Sequence, residues 1–349
     1  MMPKEKHSEL GYPEIDSQLT RMKGPVLIVS TVVGRGMQSL GKAIEERFAK
    51  SGRSDVRHVA IEEIVSPAVV REDLKRYQWI SSRFPILLNL VYRIPFFYHR
   101  KYLRERWIRE ADHSGIAREL GSSRPATVIC VSHRPCFWMS SYKWRNESGF
   151  ELWGLLGEYG NNLGWRYQFW PQVDGYFSPV SRESLDTPFP ETLQFENIVL
   201  PARQVYLELS ASPGDPDQIL LVCGYWGQGP FRKIIRELTR CHPKLVLHVV
   251  FGDNARGAQT ARAEWKGAPT IRIHEALGSL ADLVSRCGAV ITKPGIATLV
   301  ESHAAGRKIF LVRGMPVAED NNAEFAVRKM GAEWFNRANF ERWHKSQAR

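Results

Sequence analysis

Short apolar runs, glycine turns and amphipathic stretches of helical length alternate along most of this chain. Pro25–Val33 (PVLIVSTVV) is a continuous apolar run of strand length, the pattern of a strand covered on both faces. Gly34-Arg35-Gly36 turns the chain, and Met37–Ala49 then places Leu40, Ile44 and Phe48 on one face of a helix. Ser51-Gly52 closes that helix and Val56–Ile61 reads as the next strand. Strand, glycine loop, helix and strand in this order predict the opening of a parallel α/β sheet. Ala126–Ser132 (ATVICVS) is a further strand, Ser141–Phe150 a polar surface loop, and Val173–Ser178 another strand.

A second series of the same kind starts at Gln218. Ile219–Cys223 predicts a strand, Gly224–Pro230 a glycine-rich loop, Phe231–Cys241 a helix and Leu245–Phe251 (LVLHVVF) a strand. Thr270–Ile273 is a strand and Leu277–Ser285 a helix. Ala289–Thr292 is a strand ended by Lys293-Pro294-Gly295, and Thr298–Ala305 a helix stopped by Gly306, as a glycine just past a helix end does. Lys308–Arg313 holds the next strand, and Gly314–Asn322 a polar loop. The pattern divides into a flexible leader at 1–23, a first domain at 24–209, a linker at 210–217 marked by Ser210–Asp217 (SASPGDPD), and a second domain at 218–349.

Composition narrows the class. At 349 residues, 43% of them hydrophobic, the chain is long enough for two cores. A formal net charge of +11 calls for an anionic partner: nucleic acid, an acidic membrane surface or a phosphorylated ligand. No basic recognition helix or RNA-binding motif supports nucleic acid. The five cysteines, Cys130, Cys136, Cys223, Cys241 and Cys287, are dispersed without a C-x-x-C pair, which suits reduced thiols and a cytoplasmic setting. The first residues lack the apolar core of a signal peptide, and no apolar run reaches the about 18 residues that span a bilayer. Trp79–Trp107 mixes bulky apolar and aromatic residues with six cations, Arg83, Arg93, Arg100, Lys101, Arg104 and Arg106. Two readings fit it: helices packed on the sheet with a solvated basic face, or an amphipathic element at a membrane interface.

In an open α/β sheet, ligands sit at the carboxyl ends of strands and against helix N-termini. The second domain offers two such ends, the loops at Gly224–Gly229 and Lys293–Gly295. A glycine loop presents backbone N–H groups to a diphosphate without a Walker lysine, and G-x-x-x-x-G-K-[ST] is absent. In the first domain His133 follows a strand end, as a candidate acid/base group or a structural histidine. Aromatic residues of Trp165–Trp170 fit either stacking on a ligand or a core.

The ordered residues T-K-P-G-x-x-T-x-x-E (Thr292–Glu301), Gly306, Glu319, Asn322-Ala323 and Gly331-Ala332 resemble the donor-nucleotide signature of glycosyltransferase family 28. Weaker echoes lie elsewhere. Val26–Ala43 resembles the family's first strand and glycine loop, and Ser132–Pro135 the S-x-H-P turn of its galactolipid enzymes. Gly157–Ser181 resembles its acceptor-domain turn and strand, Gly224–Gly229 its donor glycine loop, and Phe251–Asn254 a C-G-x-N strand end. The resemblance implies an α/β protein of the GT-B fold, two Rossmann-like domains facing a central cleft, with acceptor bound by the first and UDP-sugar by the second. It implies that Glu301 bonds the ribose hydroxyls, that Thr298 and the backbone from Gly295 to Ala297 meet the diphosphate, and that Glu319 and Asn322 reach sugar hydroxyls or support their loop. Gly224, Gly227, Gly229, Asn254 and Lys293 complete the donor set. Gly34, Gly36, Met37, Asn162 and Trp165 form the acceptor set. No metal and no cofactor beyond the donor substrate are implied.

One departure is chemical. The family's first glycine loop ends in a histidine that serves as general base, and the matching residue here is Met37, which accepts no proton. Glu158 and His133 are the two groups left to take the acceptor hydroxyl proton, Glu158 first because it lies in the acceptor-side turn. The reading that follows is an inverting UDP-sugar hexosyltransferase acting on a lipid or lipid-linked acceptor, peripheral on the cytosolic face of an anionic membrane. Glycosylation of a soluble metabolite, a non-catalytic GT-B-like binding subunit and a UDP-sugar 2-epimerase are the alternatives.

Overall fold

The structure is a computed structural model that describes residues 13–32, 35–65, 113–160, 165, 168, 170–185, 187–227, 229–275, 277–314 and 318–347. The amphipathic basic stretch Trp79–Trp107 lies outside the described residues. The chain forms two compact units, one of Gly11–Arg203 with Met315–Asn321, the other of Gln204–Gly314 with Asn322–Arg349.

In the first unit the elements are α1 (Asp16–Leu19), β1 (Val26–Ser30), α2 (Gly36–Lys50), β2 (Val56–Ala60), α3 (Ile61–Ile64), α4 (His113–Ser123), β3 (Thr127–Cys130), α5 (His133–Asn146), β4 (Glu151–Leu155), β5 (Gly175–Ser178) and β6 (Gln194–Asn197). The strands form one sheet in the order β2-β1-β3-β4-β5-β6, every pairing parallel. Leu27 and Val29 of β1, Val128 and Cys130 of β3, and Leu152 of β4 face a core shared with Phe137, Trp138 and Ile116 of the helices. Residues on both faces of β1 are buried, which explains its unbroken apolar sequence.

Two local expectations change. The leader expected at 1–23 is packed from residue 13: Ile15 and Leu19 are buried, and Arg47 of α2 bonds Glu14 at 2.8 Å and Asp16 at 2.9 Å. The loop expected over Ser141–Phe150 is helix as far as Asn146, because α5 buries Ser140 and Ser141 along with its aromatic residues; the Ser140 hydroxyl donates to the Phe137 carbonyl at 3.0 Å.

The second unit holds α6 (Gln204–Glu208), β7 (Asp215–Val222), α7 (Phe231–Cys241), β8 (Val246–Val250), α8 (Ala255–Glu264), β9 (Ile271–His274), α9 (Ala281–Arg286), β10 (Cys287–Thr292), α10 (Ile296–Ala304), β11 (Lys308–Leu311), α11 (Ala318–Lys329), β12 (Glu333–Trp334) and α12 (Arg337–Gln347). Its parallel strands run β12-β11-β10-β7-β8-β9. Read from the other edge, this is the 3-2-1-4-5-6 order of a doubly wound nucleotide-binding sheet. One face packs Ile219, Leu221, Leu247, Val249, Ala289 and Ile291 against α7 and α12 residues such as Ile235 and Phe340. Part of the linker expected at 210–217 is therefore sheet: Asp215–Asp217 open β7. Arg307, 5% exposed, ties this start to the unit, donating to the carbonyls of Ser212 at 2.6 Å and Val284 at 2.9 Å. Among the described residues no helix is long and apolar enough to cross a membrane.

Candidate donor and acceptor sites

Strand order locates a crevice in each sheet. In the second unit, connections leave β7 toward β8 on one side, and the chain returns to β10 on the other, so the carboxyl ends of β7 and β10 flank the switch point where ligands of such sheets bind. The two glycine turns expected to hold a donor meet there. Gly224 follows β7 with φ +72, a conformation that favours glycine, and a Cβ on it would lie 2.5 Å from Cε of Lys293, which follows β10. Gly227, at φ +55, lies against the end of β8: a Cβ there would be 1.8 Å from the Phe251 carbonyl oxygen. Gly229 sits beside the Cys223 sulfur and is exposed.

After Lys293 the chain enters α10. The Gly295 N–H donates to the Lys293 carbonyl at 2.7 Å, and no side chain caps the helix. The N–H groups of the first turn have no intrahelical acceptor, and the helix dipole adds partial positive charge there. An amine, glycine backbone and a helix N-terminus at one switch point suit a diphosphate. Thr298 and Glu301 stand three residues apart on α10, hence on neighbouring turns of one face. Thr298 is half-buried and Glu301 is 7% exposed.

Two residues of the expected donor set have structural duties that the sequence did not separate from ligand contact. The Asn254 side chain caps α8, its Oδ1 accepting from Gly257 N–H at 2.9 Å, and its Nδ2 donates to the Gly227 carbonyl at 3.1 Å. It holds the glycine loop in place. Asn322 is 1% exposed and donates from Nδ2 to the Pro294 carbonyl at 3.2 Å, so it braces the turn that leads into α10. Glu319, in the first turn of α11, belongs to the segment that groups with the first unit.

In the first unit the switch point lies between β1 and β3. Past β1, the Thr31 hydroxyl donates to Glu62 Oε1 at 2.5 Å, and the Val32 N–H to Glu62 Oε2 at 3.0 Å. Glu62 thus grips the strand end that leads into the first glycine loop; no motif in the sequence marks it. Gly34 and Asn162 lie outside the described residues. Gly36 opens α2 behind Arg35, whose φ is +56. Met37 turns its side chain against Gly157: a Cβ there would lie 2.7 Å from the sulfur. The structure therefore brings the position of the family's histidine beside the turn that carries Glu158.

His133 is the first residue of α5, past the end of β3. Burial, with Arg134 alongside, lowers its pKa to about 4, so the imidazole is neutral in ordinary buffers. The Gln168 amide donates to its carbonyl at 3.1 Å, and its ring lies 6.1 Å from that of Trp165. Trp165 packs inside the first unit. It is 3% exposed and belongs to the core, edge-on to Tyr176 at 5.4 Å, in space left by the missing side chain of Gly154. A ring buried on that scale packs the domain. Among the described residues no three His, Cys, Asp or Glu side chains gather as metal ligands.

Two parallel six-stranded sheets, each with a switch point, define the class: the chain has the two-domain GT-B fold, as its likeness to solved structures shows. It covers 93% of its length on the crystal structure of Acinetobacter baumannii MurG, and 90% of that chain, at TM-score 0.52 and 12% identity. It covers 86% of its length on UDP-GlcNAc 2-epimerase from Neisseria meningitidis, and 85% of that chain, at TM-score 0.50 and 12% identity. Over 346 residues it is 23% identical to a protein of Bacillus mycoides (strain KBAB4) named processive diacylglycerol beta-glucosyltransferase, spanning 94% of this chain and 86% of the relative. No family model matches. The Bacillus relative and MurG both agree with the resemblance to glycosyltransferase family 28.

Proposed function

We propose that the chain is a UDP-sugar-dependent hexosyltransferase that inverts at the sugar carbon and glycosylates a lipid or lipid-linked hydroxyl, working peripherally at the cytosolic face of a membrane. The observation that carries the reading is the meeting of Gly224, Lys293 and the α10 N-terminus at the β7–β10 switch point. The Bacillus relative, whose name specifies diacylglycerol and glucosyl transfer and which aligns along nearly the whole chain, supports the lipid acceptor.

In this reading the donor domain lies within 218–349 and the acceptor domain within 24–209. The Glu301 carboxylate accepts from the ribose hydroxyls. The Lys293 ammonium, the Thr298 hydroxyl and the first-turn amides of α10 take the charge that grows on the diphosphate as the sugar leaves, which is stabilisation by donors already in place. Asn322 and Asn254 keep those donors aligned. Glu158 takes the acceptor proton while the hydroxyl oxygen attacks the anomeric carbon from the face opposite the departing UDP. His133 is the weaker base: with its pKa lowered to about 4, holding a proton is unfavourable at neutral pH.

Met37 in place of a histidine motivates the second reading, a GT-B protein that binds nucleotide without transfer. Titration calorimetry with UDP addresses what both readings share. Glu301→Ala removes two charge-assisted hydrogen bonds of about 1.5–3 kcal/mol each, so UDP affinity falls by at least tenfold. Unchanged affinity contradicts the ribose assignment, and no UDP binding by the unaltered protein contradicts both readings.

A further inference from the structure

Parallel pairing of β1 with β2 ends at Ser30 and Ala60, where the chain turns into α3. Past that point β1 has no strand beside it on this edge, and the Val32 N–H lacks the acceptor that a longer β2 would supply. Glu62 stands in for the missing strand. Its Oε2 accepts the Val32 N–H at 3.0 Å, and its Oε1 accepts the Thr31 hydroxyl at 2.5 Å. Thr31 is 5% exposed, so the bond is sheltered from water, and a charged acceptor makes it a strong one. On the other edge the pairing continues through β3, the Val131 N–H donating to the Val29 carbonyl at 2.9 Å.

The residues Glu62 holds are the first link of a path. The Val32 carbonyl accepts from the Arg35 N–H at 3.2 Å, which fixes Arg35 against the strand end. Arg35, at φ +56, passes the chain into α2, and its carbonyl accepts the Ser39 N–H at 3.1 Å. Met37 is the second residue of α2, and its side chain fills the space over Gly157: a Cβ there would lie 2.7 Å from the sulfur and 3.2 Å from the methyl carbon. Glu158 is the next residue. Hydrogen bonds and close packing thus lead from the Glu62 carboxylate to the turn that carries Glu158, all within the first unit.

We infer that Glu62 is a positioning residue for the acceptor side: by holding Thr31 and Val32 it sets where α2 begins, and through Met37 it sets the place of the Gly157–Glu158 turn. The inference rests on the proposed function, in which Glu158 takes the proton of the acceptor hydroxyl. A base has to stand within hydrogen-bond reach of that proton, and a misplacement of about 1 Å costs about 10²-fold in rate. Glutamine has the shape of glutamate but one acceptor oxygen in place of two, so at position 62 it cannot accept from Thr31 and Val32 in this arrangement.

The test uses the full chain, isotope-labelled at its methionine methyl groups and followed by NMR, with the Met37 resonance assigned from Met37→Leu. Transfer to diacylglycerol in mixed micelles and UDP affinity by calorimetry are measured alongside. For Glu62→Gln the expected result is a shifted Met37 resonance, a kcat/KM for the acceptor lower by about tenfold or more, and a UDP affinity within a factor of about two. Glu63→Gln removes an exposed carboxylate one residue away and should change none of the three. Thr31→Val deletes one of the two bonds and should act in the same direction, by less. A stationary Met37 resonance, an unchanged acceptor kcat/KM or equal effects of Glu63→Gln overturn the inference. A loss of UDP affinity as large as the loss of transfer also overturns it, since that marks a general loosening of the fold. Should the unaltered chain transfer no sugar, the proposed function fails, and the Met37 resonance alone decides whether Glu62 sets this path. Should a thermal melt show that Glu62→Gln does not fold, Thr31→Val carries the same decision.

Discussion

The two units share a parallel sheet with a switch point, yet they furnish it differently. In the second, the walls of the crevice are mostly backbone: a left-handed glycine turn, a loop pinned by Asn254 and Asn322, an uncapped helix end, with Lys293 as the charged side chain among them. In the first, the strand ends are set by side chains: Glu62 gripping Thr31 and Val32, Met37 against Gly157, His133 beside a buried Trp165. Backbone suits a ligand part common to many donors, a diphosphate. Side chains suit a partner that varies. In the proposed function this contrast puts donor chemistry in one half and acceptor chemistry in the other, and it can be broken from either side.

The largest expected effect is on the acceptor side. Glu158→Gln keeps shape and removes the base, so kcat for transfer drops by about 10²–10⁴-fold while UDP affinity stays within a factor of two or so. His133→Gln lowers kcat far less. If His133→Gln is the more damaging change, the two roles are exchanged; if neither matters, the first unit supplies no base from this pair. On the donor side, Gly224→Ala forces a side chain into a left-handed turn and against Lys293. A cost of about 1–2 kcal/mol translates into a roughly tenfold loss of UDP affinity by calorimetry, with acceptor dependence preserved. An equal loss for acceptor and donor would erase the contrast.

The smallest effect is on stability. His248 and His133 have pKa values of about 4 in the folded chain, lowered chiefly by burial, and those of His58, His242 and His274 are also lowered. Below the ordinary imidazole pKa of about 6.5, the unfolded chain therefore binds more protons than the folded one, and stability falls as pH drops toward about 4. Thermal melts between pH 7 and pH 4.5 should show a declining Tm, and His248→Gln should flatten the decline. A Tm that rises on acidification contradicts the burial of these rings.

Much of the second unit was legible in the sequence because its strand ends, turns and helix starts lie in a contiguous stretch. Thr292–Glu301 spells strand end, turn and helix, and glycine marks the backbone that has to turn left or come close. Elements without that punctuation were missed. α5 carries a proline in its first turn and buries serines, so its second half reads as loop; β6 is a short, polar edge strand with no alternation. Glu62 escaped notice since its partners are a hydroxyl and an N–H some thirty residues earlier. Asn254 and Asn322 looked like ligand contacts because an asparagine beside a strand end looks the same in sequence whether it faces a substrate or braces a loop. For Trp165, only the space above Gly154 shows that the ring turns inward.

The most direct test is UDP release from UDP-glucose and UDP-galactose by the intact chain, measured with and without diacylglycerol in mixed micelles. The account predicts release from at least one donor that depends on the lipid and yields one glycolipid per UDP. UDP that binds but is never released from a donor, with diacylglycerol or any lipid extract present, would contradict it.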